Sequence, residues 1–270
     1  MSAPFWVKGM ASAMAFFGVL LALPSAVALV ALADGVTVDR THSQSIAVEH
    51  GATLSVEAVS ANIKIVAGPA GEVRVDERDS VRTLTRRLAS AALDRLSTSL
   101  EPSSTGVLVT PSSGSFNTIG GYERREITIY APSDVVLAVD AVSGDLEVSG
   151  LRGDISVVSE SGSVKLNGVS VTGKASVHLV SGDIEFRGAI DGGQVDLSTV
   201  SGSIHAYLPA GTNLHYQAST VSGGVGIGAN RPRPEFGPGP GRARSGDLGT
   251  GGPASLTMNA ISGDISLTLT

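Results

Sequence analysis

Apolar and polar residues alternate in short runs along the second half of the chain, and each run follows a Ser-Gly pair. Successive pairs are 18, 20, 20, 21 and 40 residues apart and begin at Ser143, Ser161, Ser181, Ser201, Ser222 and Ser262. After each pair comes the order polar, apolar, variable, apolar, as in "DLEV", "SVKL", "DIEF" and "DISL". Strict alternation over so few residues indicates a strand with one buried face. A period near 20 residues indicates a repeat architecture.

A second, weaker strand pattern follows about ten residues later in each period, as in "GDISVV" from Gly153 and "KASVHL" from Lys174. Two short strands cannot enclose a core alone, so neighbouring periods must stack. The sequence therefore predicts an all-β fold, a parallel β-solenoid with coils of about 20 residues that are paired about 4.8 Å apart. Stacking in chain order would leave the last coil, ending at Thr270, as an open edge that could recruit another strand. One inward column is then Leu146, Val164, Ile184 and Ile204.

Stacking in register also predicts an outward column in which acid and base alternate, formed by Glu147, Lys165, Glu185 and His205. Opposite charges on adjacent strands stabilise a sheet by roughly 0.2 to 1 kcal/mol per pair. We therefore interpret this column as a candidate binding surface, which presents rigid rows of side chains to a partner.

The long spacing before Ser262 contains an insertion rich in Pro, Gly and Arg, which we predict to be a mobile loop at residues 229–252. Its arginines extend the candidate binding surface and are Arg231, Arg233, Arg242 and Arg244. Anionic lipid, teichoic acid or polysaccharide would suit these cations, and an inert insertion is the alternative. The partner is thus an envelope polymer, a lipid surface or a protein.

Between residues 34 and 139 the repeat is weak, and we predict a cap region of strands with one amphipathic helix, from about Ser80 to Ser97. A helix covering the first open edge of the solenoid is the plain interpretation of this segment, and a membrane-surface helix is the alternative. Residues 140–270 then form the repeat domain.

The N-terminal residues 1–33 resemble a bacterial export signal, with Lys8 before an apolar run that Pro24 interrupts. Cleavage sites of the A-x-A type occur at Ala26–Ala28 and Ala31–Ala33, and an uncleaved anchor helix is the alternative. Either version predicts an exported protein of the periplasm, the cell surface or the extracellular space.

Composition narrows the function classes. The net charge of −6 argues against nucleic acid as a partner, and the absence of cysteine excludes disulfides and Cys-ligated metals. The chain has no P-loop, H-E-x-x-H, G-x-S-x-G or dinucleotide motif, and of its five histidines only His205 and His215 are expected to approach each other.

We predict a protein that is not an enzyme and has no cofactor, metal or catalytic site. One alternative is a carbohydrate-active enzyme on a β-helix, and the other is an envelope signalling component that recruits another strand through its open C-terminal coil. The pattern predicts no oligomeric state.

One family resemblance rests on the iterated "VSGDI"-type unit and on the lead-in "EITIYAPSDVVLAVDAVSGDLEV" from Glu126. The units begin at Val142, Val180, Val200, Val221 and Ile261. From roughly Thr41 to Thr270 the chain resembles the bacterial putative-adhesin family of β-strand-repeat proteins, domain of unknown function 4097. The resemblance implies an adhesin-like envelope or surface protein with a non-enzymatic role. Some relatives are tied to envelope-stress signalling, and the family has no catalytic residues to carry over.

Overall fold

The computed structural model describes residues 26–32, 35–83, 85–112, 122–229 and 241–270, and in these ranges the protein is built almost entirely of strands. In chain order the elements are β1 Ala26–Leu32, β2 Gly35–Ala47, β3 Thr53–Ser60, β4 Asn62–Ala67, β5 Glu72–Thr83, α1 Arg86–Leu93, β6 Thr98–Pro102, β7 Gly106–Pro111, β8 Tyr122–Ala131, β9 Val136–Ser143, β10 Leu146–Ser149, β11 Ile155–Ser161, β12 Val164–Val171, β13 Lys174–Ser181, β14 Ile184–Ile190, β15 Gln194–Ser201, β16 Ile204–Leu208, β17 Leu214–Ser222, β18 Val225–Ala229, β19 Arg242–Leu248, β20 Ser255–Ser262 and β21 Ile265–Leu269. The fold is therefore all-β, as the alternation predicted.

Two long sheets contain these strands. The eleven-stranded sheet has the order β1-β2-β5-β8-β4-β10-β12-β14-β16-β21-β18, and the ten-stranded sheet has the order β19-β17-β20-β15-β13-β11-β9-β3-β7-β6. From β8 to β18 consecutive strands alternate between the sheets, and neighbouring strands in this part pair in parallel. We call a pair of consecutive strands with one member in each sheet, such as β13–β14, a rung.

The inward columns lie in the predicted register. Leu146 pairs with Val164, Val164 with Ile184, and Ile184 with Ile204, and all four side chains are buried. They belong to one continuous apolar cluster that also contains the inward residues of the ten-stranded sheet, such as Leu197. The rungs are therefore held together by a shared core and by backbone pairing on both sides.

The order of the rungs departs from the chain order at both ends of the stack. In space the rungs are β7–β8, β3–β4, β9–β10, β11–β12, β13–β14, β15–β16, β20–β21 and β17–β18. Rung β20–β21 lies between rungs β15–β16 and β17–β18, and β21 is paired with both β16 and β18. The expectation of an open C-terminal coil is therefore wrong, because sequence spacing defines the length of a rung and not its neighbours.

Each corner is built around the Gly of the Ser-Gly pair. Gly162, Gly182 and Gly202 have φ values of +121°, +137° and +145°, which L side chains rarely adopt. A Cβ atom on Gly182 would lie 2.1 Å from the carbonyl oxygen of Gly162 on the neighbouring rung. Close stacking of the corners therefore requires glycine for two independent reasons.

The residue after each corner glycine, or after Ala61 in rung β3–β4, links neighbouring rungs. In stack order this position reads Asn62, Asp145, Ser163, Asp183, Ser203, Asp264 and Gly224. The Oδ1 atoms of Asp145, Asp183 and Asp264 accept backbone hydrogen bonds from the next rung, at 2.9, 2.7 and 2.8 Å. Aspartates thus lie on alternate rungs and never on adjacent ones.

Strands β2 and β5 extend the eleven-stranded sheet in antiparallel pairing, and α1 packs on them. The helix begins at Arg86, after the N-cap Thr85, and not at Ser80 as predicted. Residues 80–83 belong to β5 because Val81 and Thr83 continue its alternating burial. A second apolar cluster, apart from the main core, joins α1 to both strands. The helix therefore covers the inner faces of β2 and β5 rather than an open edge.

The predicted loop at 229–252 is wrong for residues 242–248. These residues form β19, which pairs with β17 in antiparallel register because seven backbone positions, from Leu214 to Thr220, find partners on it. Residues 230–240 lie outside the described residues.

The predicted signal or anchor segment at residues 1–33 lies mostly outside the described residues. Its described part, Ala26–Leu32, forms β1, which is paired with β2, and so these seven residues are not helical. Among the described residues, no helix has the length and apolarity needed to span a bilayer.

Candidate functional site

An ionic column runs across the outward face of the eleven-stranded sheet, and we call it the charge ladder. It consists of Lys64, Glu147, Lys165, Glu185 and His205, each paired in register with the next. Lys64 Nζ lies 3.2 Å from Glu147 Oε1, and His205 Nδ1 shares a hydrogen bond of 2.8 Å with Ser266 Oγ. The structure thus brings four predicted site residues together and adds Lys64 from the N-terminal region.

Beside the charge ladder, Arg187 carries a second layer of contacts. Its Nε atom donates to Glu185 Oε1, and its guanidinium group lies 3.7 Å from the ring centroid of Tyr207. The hydrogen bond to Glu185 raises the pKa of Arg187 above its ordinary value. Such stacking holds the guanidinium group flat against the sheet, where it presents a planar cation to solvent.

The arginines predicted to join this surface lie elsewhere. Arg242 and Arg244 are on β19, at the edge of the ten-stranded sheet, whereas the charge ladder is on the eleven-stranded sheet. Arg231 and Arg233 lie outside the described residues. The structure therefore does not bring Arg242 and Arg244 together with the charge ladder.

A buried ionic cluster at the N-terminal end of the stack was missed by the sequence reasoning. It contains Glu77 and Asp79 of β5 and Arg125 of β8, which are 4%, 1% and 5% exposed. Arg125 Nε donates to Glu77 Oε1 over 2.9 Å, and Arg125 Nη2 donates to Thr98 Oγ1 of β6 over 3.0 Å. Because β8 and β6 belong to different sheets, Arg125 joins the first rung to the edge strand of the ten-stranded sheet.

The two acids of this cluster differ in protonation. Burial, and then the neighbouring Glu77, raise the pKa of Asp79 to about 7, against the opposing effects of Arg125 and Arg40. Burial also acts to raise the pKa of Glu77, but the charge and hydrogen bonds of Arg125 hold it below its ordinary value. Arg40 Nη2 donates to Asp79 Oδ2 over 3.2 Å. One strongly paired carboxylate and one readily protonated carboxyl group thus share two arginines.

A signal for this cluster was present in the sequence. In "EVRVDERDSV" the acids Glu77 and Asp79 occur in phase with the apolar residues Val73 and Val75. In "REITI" Arg125 is likewise in phase with the buried isoleucines. Charges of opposite sign in the buried phase of two strands predict an internal ion pair, since a lone buried charge is too costly.

The histidines of the two sheets do not converge. His205 lies in the eleven-stranded sheet and His215 in the ten-stranded sheet, where its Nδ1 atom is 3.0 Å from Asp247 Oδ1, so the expected approach of these two residues is wrong. His178 contacts Ser176 and Ser198 on the outward face of the ten-stranded sheet. Across the described ranges, no group of three or more His, Asp or Glu side chains is arranged to hold a metal ion.

Most of the chain matches the sequence model of a known family. A family model described as Toastrack DUF4097 matches residues 53–268, well over half of the chain. The protein belongs to the Toastrack DUF4097 family. The matched region of this Toastrack protein begins with β3 and ends within β21, so it includes all eight rungs. No curated protein matches the chain.

Two solved structures of bacterial proteins are among those to which the chain is similar. A putative cell adhesion protein from Clostridium sporogenes ATCC 15579 is 12% identical to this Toastrack chain, covering 85% of it and 100% of its own length, with a TM-score of 0.42. A putative adhesin from Bacteroides fragilis NCTC 9343 is 10% identical and covers 85% of this chain and 97% of its own, with a TM-score of 0.43.

Proposed function

We propose that the protein is a non-enzymatic binding module of the cell surface or envelope, whose charge ladder contacts an extended, charged envelope polymer. The observation that carries this proposal is the register of Lys64, Glu147, Lys165, Glu185 and His205 across five neighbouring strands. Parallel strands repeat about every 4.8 Å, so the ladder offers fixed charges at regular intervals. A linear polymer with charges at regular intervals can form several weak contacts with such a row at once.

The stack itself favours a presenting role. We interpret the alternation of eight rungs between two sheets as a parallel β-solenoid, in which each internal strand has a partner on both sides. Such a scaffold cannot close around a ligand, but it holds outward side chains at constant spacing. Binding by presentation, rather than chemistry in a closed pocket, follows from this geometry.

Location at the envelope is the second part of the proposal. It is supported by the apolar segment after Lys8 and by the surface role that the family resemblance implies. Fractionation of producing cells, with mass determination of the mature N-terminus, tests it. Recovery of the untruncated chain in the cytosol alone would contradict an exported protein.

Binding is tested by co-sedimentation of the full-length protein with purified teichoic acid and polysaccharide fractions. Lys165→Glu places three acids in a row with Glu147 and Glu185, and we expect binding to weaken by about tenfold or more. Lys174→Glu is the matched control, because it removes an exposed lysine from the other sheet. Equal binding by both variants, or no binding to any polymer by the natural protein, would refute the proposal.

The enzymatic alternative has a direct test in the same material. A carbohydrate-active enzyme would shorten the polymer during incubation, which size-exclusion chromatography of the recovered polymer detects. Unchanged polymer length beside measurable binding is the expected result.

A further inference from the structure

A row of exposed aliphatic side chains follows one corner of the stack, and we call it the aliphatic ridge. Its members directly precede the corner serines, which pair from rung to rung. In stack order they are Val59, Val142, Glu160, Val180, Val200, Ile261 and Val221. The six aliphatic members are between 41% and 55% exposed, although aliphatic side chains elsewhere on the rungs are mostly buried.

Strand propensity alone does not explain the ridge. The outward position two residues earlier on the same strands has the same backbone and would favour β-branched residues equally. That position instead reads Glu57, Asp140, Val158, His178, Ser198, Asn259 and Ser219, which are polar with one exception. Contiguous exposed apolar rows with polar borders mark interaction surfaces.

The two halves of the ridge differ in charge. Its first three rungs carry Glu160 in the ridge, with Glu57 and Asp140 beside it. Its last four rungs carry an unbroken run, Val180, Val200, Ile261 and Val221, which we call the aliphatic run. Beside the aliphatic run, the column that contains His178 has no acidic residue.

The aliphatic run is complementary to itself when two copies meet in antiparallel direction about a two-fold axis between its second and third rungs. Val200 then faces Ile261 of the second copy, and Val180 faces Val221. Asp183 faces a glycine at position 224, and Asp264 faces a serine at position 203, because aspartates occur only on alternate rungs.

The neighbouring column also matches in this arrangement. His178 faces a serine at position 219, and Ser198 faces Asn259, so neutral hydrogen-bonding groups meet each other. Glu57, Asp140 and Glu160 remain beyond the paired run. No acid of one copy therefore faces an acid of the other. An anionic membrane as the occupant would instead place negative charge against these acids.

We propose that the aliphatic run is a homodimer interface that takes a second copy of this chain in antiparallel orientation. Four rungs about 4.8 Å apart form a short contact at the lower end of protein interface sizes, so the association is weak and concentration-dependent. The proposal is independent of polymer binding, because the charge ladder lies on the other sheet.

Sedimentation velocity of the full-length chain over a dilution series tests the interface. The natural chain is expected to show a reversible monomer–dimer equilibrium. Val200→Ser with Ile261→Ser changes four side chains per dimer, and we expect a dissociation constant raised about tenfold or more. Val142→Ser is the matched control, because it makes the same change on the ridge outside the aliphatic run, and it should alter the constant by less than about twofold.

Cross-linking tests the orientation, since the chain has no cysteine of its own. A mixture of the single variants Val200→Cys and Ile261→Cys should form disulfide-linked dimers several-fold faster than a mixture of Val200→Cys with Val142→Cys. A chain that stays monomeric at all concentrations, or equal cross-linking in both mixtures, would overturn the proposal. Circular dichroism of the double serine variant, measured alongside, checks that its fold is retained.

Discussion

The rung stack and the N-terminal extension of β2, β5 and α1 share one sheet but are stabilised in different ways. In the stack, inward positions such as Ile184 meet aliphatic neighbours above and below, which here are Val164 and Ile204. In the extension the inward positions of β5 include Glu77 and Asp79, between the main apolar core and the cluster beneath α1. The repeated rungs are therefore stabilised by apolar side chains that stack at a regular spacing. The end of the stack is stabilised by specific ion-pair partners.

Arg125 illustrates what the end of the stack requires. It contacts Glu77 within its own sheet and Thr98 at the edge of the other. Buried ion pairs stabilise little compared with well-packed apolar groups, but breaking one is strongly destabilising. The ionic cluster thus links the extension and the first rung to the edge strand β6 of the other sheet.

The largest expected loss of stability comes from a charge placed in the core of the stack. Ile184→Asp places an unpaired charge in the core and should lower the free energy of unfolding by on the order of 5 kcal/mol, enough to unfold a marginal protein. Val180→Asp, on the exposed ridge four residues earlier, should cost less than about 1 kcal/mol. Urea denaturation followed by circular dichroism measures both. Similar losses from the two variants would contradict the assignment of inward and outward positions.

The corresponding change where the extension meets the stack is Arg125→Ala. It leaves Glu77 buried without its main counter-charge, and we expect a loss of about 3 to 5 kcal/mol. Hydrogen exchange should show faster opening of β5 and β8 than of the central rungs. The surface change Arg124→Ala, one residue earlier, is the control and should be close to neutral. Uniform loss of protection across all rungs would count against a local role.

A smaller loss of stability is expected from alanine at a corner glycine, and it should exceed the loss from alanine at a glycine in an ordinary turn. Gly182→Ala should cost about 2 to 3 kcal/mol, because the backbone has φ +137° and a Cβ atom would meet Gly162 O at 2.1 Å. Gly192 has φ +83° with no atom within 4 Å of an added Cβ, so Gly192→Ala should cost only about 1 kcal/mol. Equal unfolding midpoints for the two variants would mean that the corners are not closely stacked.

The last expected effect is a pH dependence of the extension, with a small change in stability per pH unit. The pKa of Asp79 is raised from 3.8 to about 7, so between these values the folded state binds more protons than the unfolded state. The free energy of unfolding should therefore fall as pH rises from about 4.5 to 7, by on the order of 1 kcal/mol per pH unit. Asp79→Asn removes this contribution, and the difference between the two pH profiles isolates it. A profile unchanged by Asp79→Asn would show that Asp79 does not titrate in this range.

The stack was predictable because each position recurs. Ile184 and Val164 could be assigned to the core from alternation alone, and the charges of Glu147 and Lys165 follow from the same register. The order of the rungs was not predictable, since a parallel neighbour can be any strand of matching length and pattern. The helix start was misplaced because Val81 fits both a period of 2 and a period of 3.6.

The candidate site was predictable to the same extent. The column from Glu147 to His205 is a property of the period, whereas Arg242 and Arg244 depend on which sheet the chain enters after the insertion. Composition alone predicted a loop there, and pairing with β17 turned part of it into a strand. For the buried cluster, the buried phase of Glu77, Asp79 and Arg125 predicts ion pairing, but the adjacency of β5 and β8, which are distant in the chain, does not follow from either local pattern.

The interior position of rung β20–β21 affects how the protein can be made. Residues 214–229 leave the ribosome before residues 255–269, yet they lie farther from the centre of the stack. A growing chain therefore cannot add rungs one after another, because β17 and β18 have no correct place until the later strands arrive between them and β15–β16. Assembly in chain order must stop at β16, with an apolar edge exposed until residues 255–269 join the stack.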